Sequence, residues 1–483
     1  MGNSQKILLV LEKDYSMNYL PEYPPLALVY IASSLYHSRH EIKALDMRLY
    51  NTDKYVKTIE TFNPDIIGFS VTALNLDNTK KLMKITKEKN PSAIIIAGGP
   101  HASLAPLMVA KGKLIDYLVS GEADFLFNEI ADALSNEEDI KKFDGVGYIK
   151  DEKLKMNKPA QVNDIDNLPM PELHLFDLEA YKKYNKQNRY PLQTSRGCPH
   201  QCTFCTSSRI GGSYRMRSSV KVVDEIEHMV KAYNIKRFNV IDDNFALNRK
   251  RAADICDEIV SRNLDIKWEI GQGLTTLSAD QELFYKMKKA GCYLISFGVE
   301  SNDPEILKAI KKPTHDIGIM KRAFTYAKNA GILTKGFMIS GLPGATFEKE
   351  MKYIDFFKEA DIDIPRISLL TVFPNTEMYE WAQKNAKPLH DLDTVSTKFS
   401  QNKYVSSDIY LTPSFETDDF TKEERIKAYN ILDNEAYKWS IKKLIERKFG
   451  KTASRISYPL TNIALILRES RLAMDIGRKI LIR

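Results

Sequence analysis

The chain has 483 residues, of which 43% are hydrophobic and 28% are charged, and its formal net charge is +7. This composition is that of an ordinary globular protein and excludes intrinsic disorder as the main state. At roughly 150 residues per domain, the length predicts about three domains.

The first 140 residues alternate short apolar runs with amphipathic stretches. Strands are predicted at residues 6–10, 42–46, 66–71, 93–97 and 117–120, with helices at 26–36, 78–89 and 125–134. This alternation predicts a doubly wound, Rossmann-like parallel sheet, whose ligands bind beyond the carboxyl ends of the strands. Three of those ends carry hydroxyl groups or glycines, namely Ser70, Thr72, Gly98, Gly99 and Gly121. Each glycine alone is equally typical of a tight turn.

Residues 141–189 are polar and weakly periodic, which predicts a linker with room for a small hairpin. A second α/β region follows at 190–390. Its strands are predicted at 192–194, 237–242, 267–270, 293–299, 334–340 and 367–372, each followed by helical sequence. Six such units predict a partial (β/α)6 barrel of the TIM type rather than a closed eightfold one.

Residues 391–483 are predicted to form a mostly helical, basic region, with helices near 421–449 and 462–482. From residue 436 to the end, twelve Lys or Arg face three Asp or Glu, so the rest of the chain is near neutral. A near-neutral body argues against a protein built mainly to hold nucleic acid. Residues 439–447 alternate apolar and basic side chains, which is typical of a helix on an anionic membrane surface. A helix that caps the barrel gives the same pattern.

The N-terminal sequence has no signal-peptide pattern, and no apolar run reaches the roughly 20 residues that a membrane span needs. Five cysteines in a chain of this length do not make a disulfide scaffold. We therefore expect a cytoplasmic protein, with the basic tail as its candidate for peripheral contact with the inner face of the membrane.

Three of the five cysteines lie within eight residues, as Cys198, Cys202 and Cys205, directly after the first barrel strand. Three thiolates on one loop suit an iron–sulfur cluster or another soft metal. A structural zinc site needs a fourth ligand, and His200, between two of the cysteines, makes a cramped tetrahedral site. The other two cysteines fall in a helix and at a strand entrance and are predicted to be core residues.

The C-x-x-x-C-x-x-C loop in this barrel context resembles that of the radical S-adenosylmethionine (SAM) superfamily. Together with the first sheet, it resembles the branch with an N-terminal cobalamin-binding domain, over about residues 5–390. The resemblance implies that Cys198, Cys202 and Cys205 hold a [4Fe–4S] cluster whose open iron binds SAM. Reduction then cleaves SAM to methionine and a 5′-deoxyadenosyl radical.

Further contacts with SAM are implied by the resemblance at six positions, which are Phe204, Asp242, Asp243, Glu300, Ser340 and Gly341. A single acid at such a position is also typical of a helix cap or a solvated surface. Many relatives carry an arginine after the third barrel strand, and residues 271–275 contain none. Arg215 and Arg217 are candidate replacements as partners of the SAM carboxylate, and the alternative is that they belong to a solvated basic loop.

For cobalamin, the resemblance implies a groove lined by Ser70, Thr72, Gly98, Gly99 and Gly121. The D-x-H-x-x-G motif of cobalamin domains falls at residues 46–51, where Arg48 stands at the histidine position and Asn51 at the glycine position. No histidine of this motif would therefore ligate cobalt. The alternative is a degenerate domain kept for contacts with substrate or a partner.

The resemblance implies an enzyme, most commonly one that methylates an unactivated carbon. The basic tail favours a lipid or isoprenoid as the substrate, and a natural product is the other expected class. The alternative reaction is a radical rearrangement or cyclisation without cobalamin. A tRNA-modifying or RNA-binding protein is the alternative of another class, disfavoured because no cysteine precedes Cys198 and the tail lacks a β-barrel pattern. Expected partners are a small-molecule or lipid substrate and an electron donor such as flavodoxin or ferredoxin.

Overall fold

The computed structural model describes residues 3–13, 21–185, 187–393 and 412–457. The chain divides into two compact units, and each is described by itself. Among the described residues, unit 1 comprises 3–13, 21–185, 187–199, 206–238 and 393, and unit 2 comprises 200–205, 239–392 and 412–457. The helix predicted at 462–482 lies outside the described residues.

The first sheet, in unit 1, has seven strands in the order β2-β1-β3-β4-β5-β6-β7. Their bounds are β1 Lys6–Leu11, β2 Glu41–Asp46, β3 Ile66–Ser70, β4 Ile94–Gly98, β5 Tyr117–Val119, β6 Val146–Lys150 and β7 Lys153–Met156. The first five pair in parallel, and β6 and β7 add an antiparallel hairpin at the β5 edge. The segment expected to be a linker therefore contributes two strands to this sheet.

Helices connect these strands: α1 Leu26–Tyr36, α2 Thr52–Phe62, α3 Leu76–Lys89, α4 Pro100–Leu104, α5 Pro106–Ala110, α6 Leu126–Ser135 and α7 Leu178–Lys182. α1 packs with α6, and α2 packs with α3. The strands of a sheet covered by helices are apolar throughout. Accordingly, Ile7, Leu8, Ile66 and Ile67 are all fully buried. The switch in strand order lies between β1 and β3, which confirms the doubly wound fold.

A short two-stranded ladder of unit 1, β9 Ser195–Arg196 with β10 Arg215–Met216, surrounds the start of the cysteine loop. The second large sheet has the order β15-β14-β13-β12-β11-β8. Its strands are β8 Arg189–Leu192, β11 Arg237–Val240, β12 Lys267–Leu274, β13 Cys292–Glu300, β14 Leu333–Ser340 and β15 Ile364–Leu369. Strands β12 to β15 pair in parallel. An open sheet of six strands confirms the predicted partial barrel.

The helices of this region are α8 Ser207–Ile210, α9 Ser219–Tyr233, α10 Arg249–Ser261, α11 Gln281–Lys289, α12 Pro304–Ala309, α13 Ile317–Asn329, α14 Phe347–Glu359 and α15 Glu377–Asn385. Most begin at an Asn, Asp, Ser or Thr whose side chain accepts a hydrogen bond from the first turn, such as Asp316 in front of α13. Three-residue 3₁₀ helices occupy Ile140–Lys142, Ile165–Asn167, Leu173–Leu175 and Thr276–Ser278.

The C-terminal part of unit 2 contains β16 Lys387–Pro388, β17 Phe415–Glu416 and α16 Lys422–Ser457, which kinks at Gly450. α16 packs on β15 and α14. The Nε1 atom of Trp439 donates a hydrogen bond to the carbonyl oxygen of Ile362 at 2.7 Å, and the buried Lys443 forms an ion pair with Asp361 at 2.6 Å. These two contacts favour the alternative of a helix that caps the barrel, and contact of residues 439–447 with a membrane surface stays a prediction. None of the described helices is long and apolar enough to cross a bilayer.

Candidate functional site

The cysteine loop leaves β9 through Gly197, whose φ of +77° favours glycine. A Cβ atom at Gly197 would lie 2.6 Å from the carbonyl oxygen of Ser213 and 2.9 Å from that of Gly212. No other residue fits this close approach without a shift of backbone. The turn therefore places Cys198 directly after a rigid point of unit 1.

The second half of the loop is held within unit 2 by backbone hydrogen bonds. The amide of Thr203 donates to Ile310 at 3.0 Å, and the amide of Met378, in α15, donates to the carbonyl oxygen of Thr203 at 3.0 Å. The amide of Cys205 donates to Cys202, also at 3.0 Å. Phe204 is only half-buried, so it does not belong to the closed core.

A buried cation lies beside two of the cysteines, and the sequence reasoning did not identify it. Lys312 interacts electrostatically with Cys202 and Cys205, and its Nζ atom donates to Oε1 of Glu300 at 2.8 Å. Its pKa is raised because the attraction of Glu300 and the cysteines outweighs the cost of burial. In sequence, Lys312 stands in a Lys311-Lys312 pair that is typical of a solvated surface, so no local pattern distinguishes it.

All five cysteines lie in the described ranges, and none forms a disulfide. Cys256 and Cys292 are each 1% exposed, which confirms that they are core residues. Among the described residues, no three His, Cys, Asp or Glu side chains converge on a point that suits one metal ion. A zinc site needs such convergence, whereas an iron–sulfur cluster takes its thiolates on separate irons. Three half-buried cysteines on one loop supply the donor set that a [4Fe–4S] cluster takes from a protein.

The two acids that follow β11 have different surroundings. Asp242 is fully buried and lies 3.9 Å from the guanidinium of Arg251, whereas Asp243 is exposed. The charge of Asp242 is therefore compensated within unit 2 by a buried arginine. Of the pair, Asp243 is the one whose side chain is exposed to solvent.

At the end of β14, the side chain of Ser340 is fully buried, and its hydroxyl donates to Glu350 at 2.5 Å. The amide of Gly341 donates to the same carboxyl group, and Arg425 of α16 donates to the carbonyl oxygen of Gly341 at 2.8 Å. Burial raises the pKa of Glu350 to about 7. Hydrogen bonds to Glu350 and from Arg425 thus fix the positions of Ser340 and Gly341. Glu350 and Arg425 are positioning residues that the sequence did not reveal.

Arg215 and Arg217 have neither of the two roles considered for them. Arg215 is 9% exposed and pairs with Glu122, and Arg217 is 4% exposed and pairs with Glu225 at 2.6 Å. They are therefore buried members of ion pairs in unit 1, not a solvated basic loop. Their guanidinium groups are occupied by these acids rather than available to the SAM carboxylate.

Five residues predicted at the cobalamin groove lie at the carboxyl edge of the first sheet and are half-exposed, namely Ser70, Thr72, Gly98, Gly99 and Gly121. Three of them also have local structural roles. Gly99 has a φ of +100°, and a Cβ atom there would lie 2.8 Å from the carbonyl oxygen of Val71. The Thr72 hydroxyl accepts a hydrogen bond from the amide of Asn75 at 3.3 Å, and a Cβ atom at Gly121 would lie 2.1 Å from the carbonyl oxygen of Ala160. Ser70 and Gly98 are thus the positions best suited to line an open groove.

In the motif at residues 46–51, Arg48 forms an ion pair with Asp46. The guanidinium of Arg48 donates to both carboxylate oxygens of Asp46, at distances down to 2.6 Å, and the hydroxyl of Tyr181 also donates to Asp46, at 2.5 Å. A guanidinium stays protonated and has no lone pair for a metal. The structure therefore agrees with the sequence that this motif offers no cobalt ligand.

Two family models match the chain. The model described as the radical SAM superfamily matches residues 192–379, and the model described as the B12 binding domain matches residues 13–131. A protein of Pyrococcus horikoshii named as an uncharacterized methyltransferase is 33% identical over 370 residues, which cover 75% of this chain and 79% of that protein. The anaerobic magnesium-protoporphyrin IX monomethyl ester cyclase of Rubrivivax gelatinosus is 25% identical over 469 residues, covering 94% of this chain and 81% of the cyclase.

A solved structure shares the fold. That of the cobalamin-dependent S-adenosylmethionine radical enzyme OxsB, with aqua-cobalamin and S-adenosylmethionine bound, superposes with a TM-score of 0.71 at 18% identity and covers 99% of this chain and 75% of that one. The family models confirm an enzyme whose cofactors are a [4Fe–4S] cluster, SAM and cobalamin. The chain belongs to the radical SAM superfamily, in the branch that carries an N-terminal cobalamin-binding domain.

Proposed function

We propose that this enzyme transfers a methyl group to an unactivated carbon of a small-molecule substrate. The observation that carries the proposal is the presence, in one chain, of a loop with three half-buried cysteines and a doubly wound sheet with glycines at its carboxyl edge. The 33% identity to a protein named as a methyltransferase supports it.

The residues of the loop have separate roles in this proposal. Cys198, Cys202 and Cys205 hold the cluster, which supplies the electron that cleaves SAM. Lys312 places a buried positive charge beside two thiolates, which offsets their mutual repulsion in a site of low dielectric. Glu300 orients that lysine through the 2.8 Å ion pair.

The contacts with SAM that we propose are the exposed Asp243, the half-buried Phe204 and the carboxylate of Glu300. Asp242, Ser340 and Gly341 have a supporting role, because buried side chains hold their local structure. At the first sheet, Ser70 and Gly98 are proposed to line the cobalamin groove. Thr72, Gly99 and Gly121 are proposed to shape its edges.

The substrate class is proposed only as a small molecule. A lipid or isoprenoid was expected because residues 439–447 resembled a membrane-surface helix, and Trp439 and Lys443 of that segment are bonded to residues of unit 2. The remaining argument for a lipid lies in the tail beyond residue 457, outside the described residues.

The test is methyl transfer from labelled SAM. The protein is reconstituted anaerobically with iron, sulfide and hydroxocobalamin, and incubated with trideuteromethyl-SAM, dithionite and a metabolite extract. We expect a product that carries the deuterated methyl group, lost in Cys202→Ala and retained in Cys256→Ala, which changes a cysteine outside the loop. Cobalamin retention without any labelled product from active, SAM-cleaving enzyme would contradict methyl transfer.

A second candidate is a radical cyclisation, favoured by the alignment of 94% of the chain with the ester cyclase of Rubrivivax gelatinosus. The same experiment separates the two reactions. Cyclisation consumes SAM to 5′-deoxyadenosine and yields a product that lacks deuterium and has lost two hydrogens.

A further inference from the structure

Two arginines stand directly opposite each other next to the cysteine loop. Arg196 in β9 pairs with Arg215 in β10, and their side chains are 10% and 9% exposed. Like charges at directly opposite positions of a ladder repel each other, and burial strengthens that repulsion. The ladder that brackets the loop therefore depends on negative charge supplied from elsewhere in unit 1.

Asp124 supplies the first counter-charge. It follows β5 of the first sheet, is 7% exposed, and accepts two hydrogen bonds from Arg196, at 2.7 and 2.9 Å. Such a bidentate guanidinium–carboxylate pair fixes direction as well as distance. Arg196 lies two residues before Cys198, so this pair anchors the strand that leads into the first cluster ligand.

Glu122 supplies the second counter-charge in the same geometry. Its carboxylate accepts hydrogen bonds from Arg215 at 2.7 and 2.9 Å, and also from the amide of Val162 at 2.7 Å. The side chain is 13% exposed. Both strands of the ladder are thus held by acids from the loop that follows β5, which we call the acid clamp (Glu122 and Asp124).

Gly197 links the fixed strand β9 to Cys198. The backbone of Gly197 packs so closely on residues 211–213 that a Cβ atom there would contact three carbonyl oxygens at 3.0 Å or less. Both strands of the ladder are fixed by ion pairs, and Gly197 is in tight contact with residues 211–213. The backbone of Cys198, the next residue, is therefore restrained within unit 1.

We infer that Glu122 and Asp124 are positioning residues for Cys198, so that the cobalamin-binding domain itself preorganises one ligand of the iron–sulfur cluster. Asp124 pairs with Arg196, and Glu122 pairs with Arg215 and also lies 3.5 Å from the guanidinium of Arg196, so the two carboxylates together neutralise the opposed arginines and orient their strands. The inference rests on the proposed role of Cys198 as a cluster ligand. The clamp itself is a property of the chain without any cofactor, so it can be tested separately.

The test is the rate of thiol alkylation in the reduced, cofactor-free protein under anaerobic conditions. Iodoacetamide labelling is quantified by mass spectrometry at Cys198 and at Cys205, which is held within unit 2. Asp124→Asn and Glu122→Gln keep side-chain shape and remove the charge. We expect each to raise labelling of Cys198 about tenfold relative to Cys205, because weakening a charge-assisted pair favours local opening.

Asp132→Asn is the matched control, because Asp132 pairs with Arg39 at 2.9 Å in the same domain and does not contact the loop ladder. It should leave the labelling ratio unchanged, and Asp124→Glu should restore most of the protection. If Asp124→Asn also raises the labelling of the buried Cys256, that variant has unfolded globally. The labelling ratio of Glu122→Gln then tests the inference. Unchanged labelling of Cys198 in the folded clamp variants would overturn the inference.

A second readout uses the reconstituted protein. The cluster absorbance of the clamp variants should bleach faster with an iron chelator than that of wild type or Asp132→Asn, and equal rates would contradict the role in positioning a cluster ligand. If wild type takes up no iron, the proposed function fails, while the alkylation result still decides the clamp.

Discussion

Gly298 in β13 makes room for the charge pair beside the cysteine loop. A Cβ atom there would lie 2.5 Å from Oε1 of Glu300 and 2.9 Å from Nζ of Lys312. Glu300 itself has a φ of +64°, which is uncommon outside glycine and turns its side chain back over the strand. Backbone conformation and a missing side chain thus combine to bury a lysine next to Cys202 and Cys205.

Replacement of Lys312 by Met should destabilise the cofactor-free protein by about 3 kcal/mol, because it leaves the buried Glu300 carboxylate unpaired. Urea unfolding measures the free energy. The control is Lys311→Met, since Lys311 is 54% exposed and its pair with Glu377 is solvated; its loss should stay below about 1 kcal/mol. Equal losses in the two variants would show that the Lys312–Glu300 pair is no more important than a surface pair.

Two glycines of the first sheet should respond oppositely to alanine. Gly121 has a φ of +90°, and its Cβ atom would collide with Ala160, so Gly121→Ala should cost roughly 3 kcal/mol of unfolding free energy. At Gly98 the nearest atoms are 3.6 Å from a Cβ atom, so Gly98→Ala should fold normally. Gly98→Ala should instead retain less cobalamin after gel filtration. Normal cobalamin content in this variant would remove Gly98 from the groove.

At the scale of the element, the end of β14 depends on a buried carboxyl group. The pKa of Glu350 is raised by burial to about 7 from 4.5, so the folded chain binds a proton that the unfolded chain releases between these values. Its contribution is fully present below about pH 4.5, and the free energy of unfolding falls as pH rises towards 7. Thermal midpoints at pH 5 and 8 should differ less in Glu350→Gln than in wild type. The control is Glu348→Gln at an exposed position, which should show the same difference between the two midpoints as wild type. An equally large difference in Glu350→Gln would contradict the raised pKa of Glu350.

α16 is attached to unit 2 by an ion pair near its C-terminal part. Nε of Arg447 donates to Asp363 at 2.8 Å, and Asp363 is 1% exposed. Arg447→Met should therefore lower the free energy of unfolding by about 2 kcal/mol. Lys448→Met, at the exposed next position, should change it by less than about 0.5 kcal/mol. If the two variants are equally stable, this face of α16 does not hold the helix in place.

At the scale of the whole molecule, the features that could be predicted from sequence are those that leave a local pattern along the chain. The alternation of strands with helices sufficed to predict both sheets, and the spacing of Cys198, Cys202 and Cys205 sufficed to predict the family. The β6–β7 hairpin was missed as part of the first sheet because its sequence is short and rich in lysine. Asp242 and Asp243 are neighbours in sequence, and only the structure shows which of them is buried.

The charges around the loop could not be predicted for a different reason. Arg215 and Lys312 look like solvated residues in sequence, and their partners Glu122 and Glu300 lie 93 and 12 residues away. Whether a charged residue is buried depends on its partners in the folded structure, because the desolvation cost of a buried charge must be offset by a partner of opposite charge. No local periodicity carries that information.

The central claim is that the cysteine loop binds a cluster that cleaves SAM. The most direct measurement is the amount of 5′-deoxyadenosine formed by the anaerobically reconstituted protein with SAM and dithionite, quantified by mass spectrometry against Cys202→Ala. The account predicts the nucleoside from wild type and none above background from the variant. Its absence from iron-loaded wild type, or equal amounts from Cys202→Ala, would contradict the account.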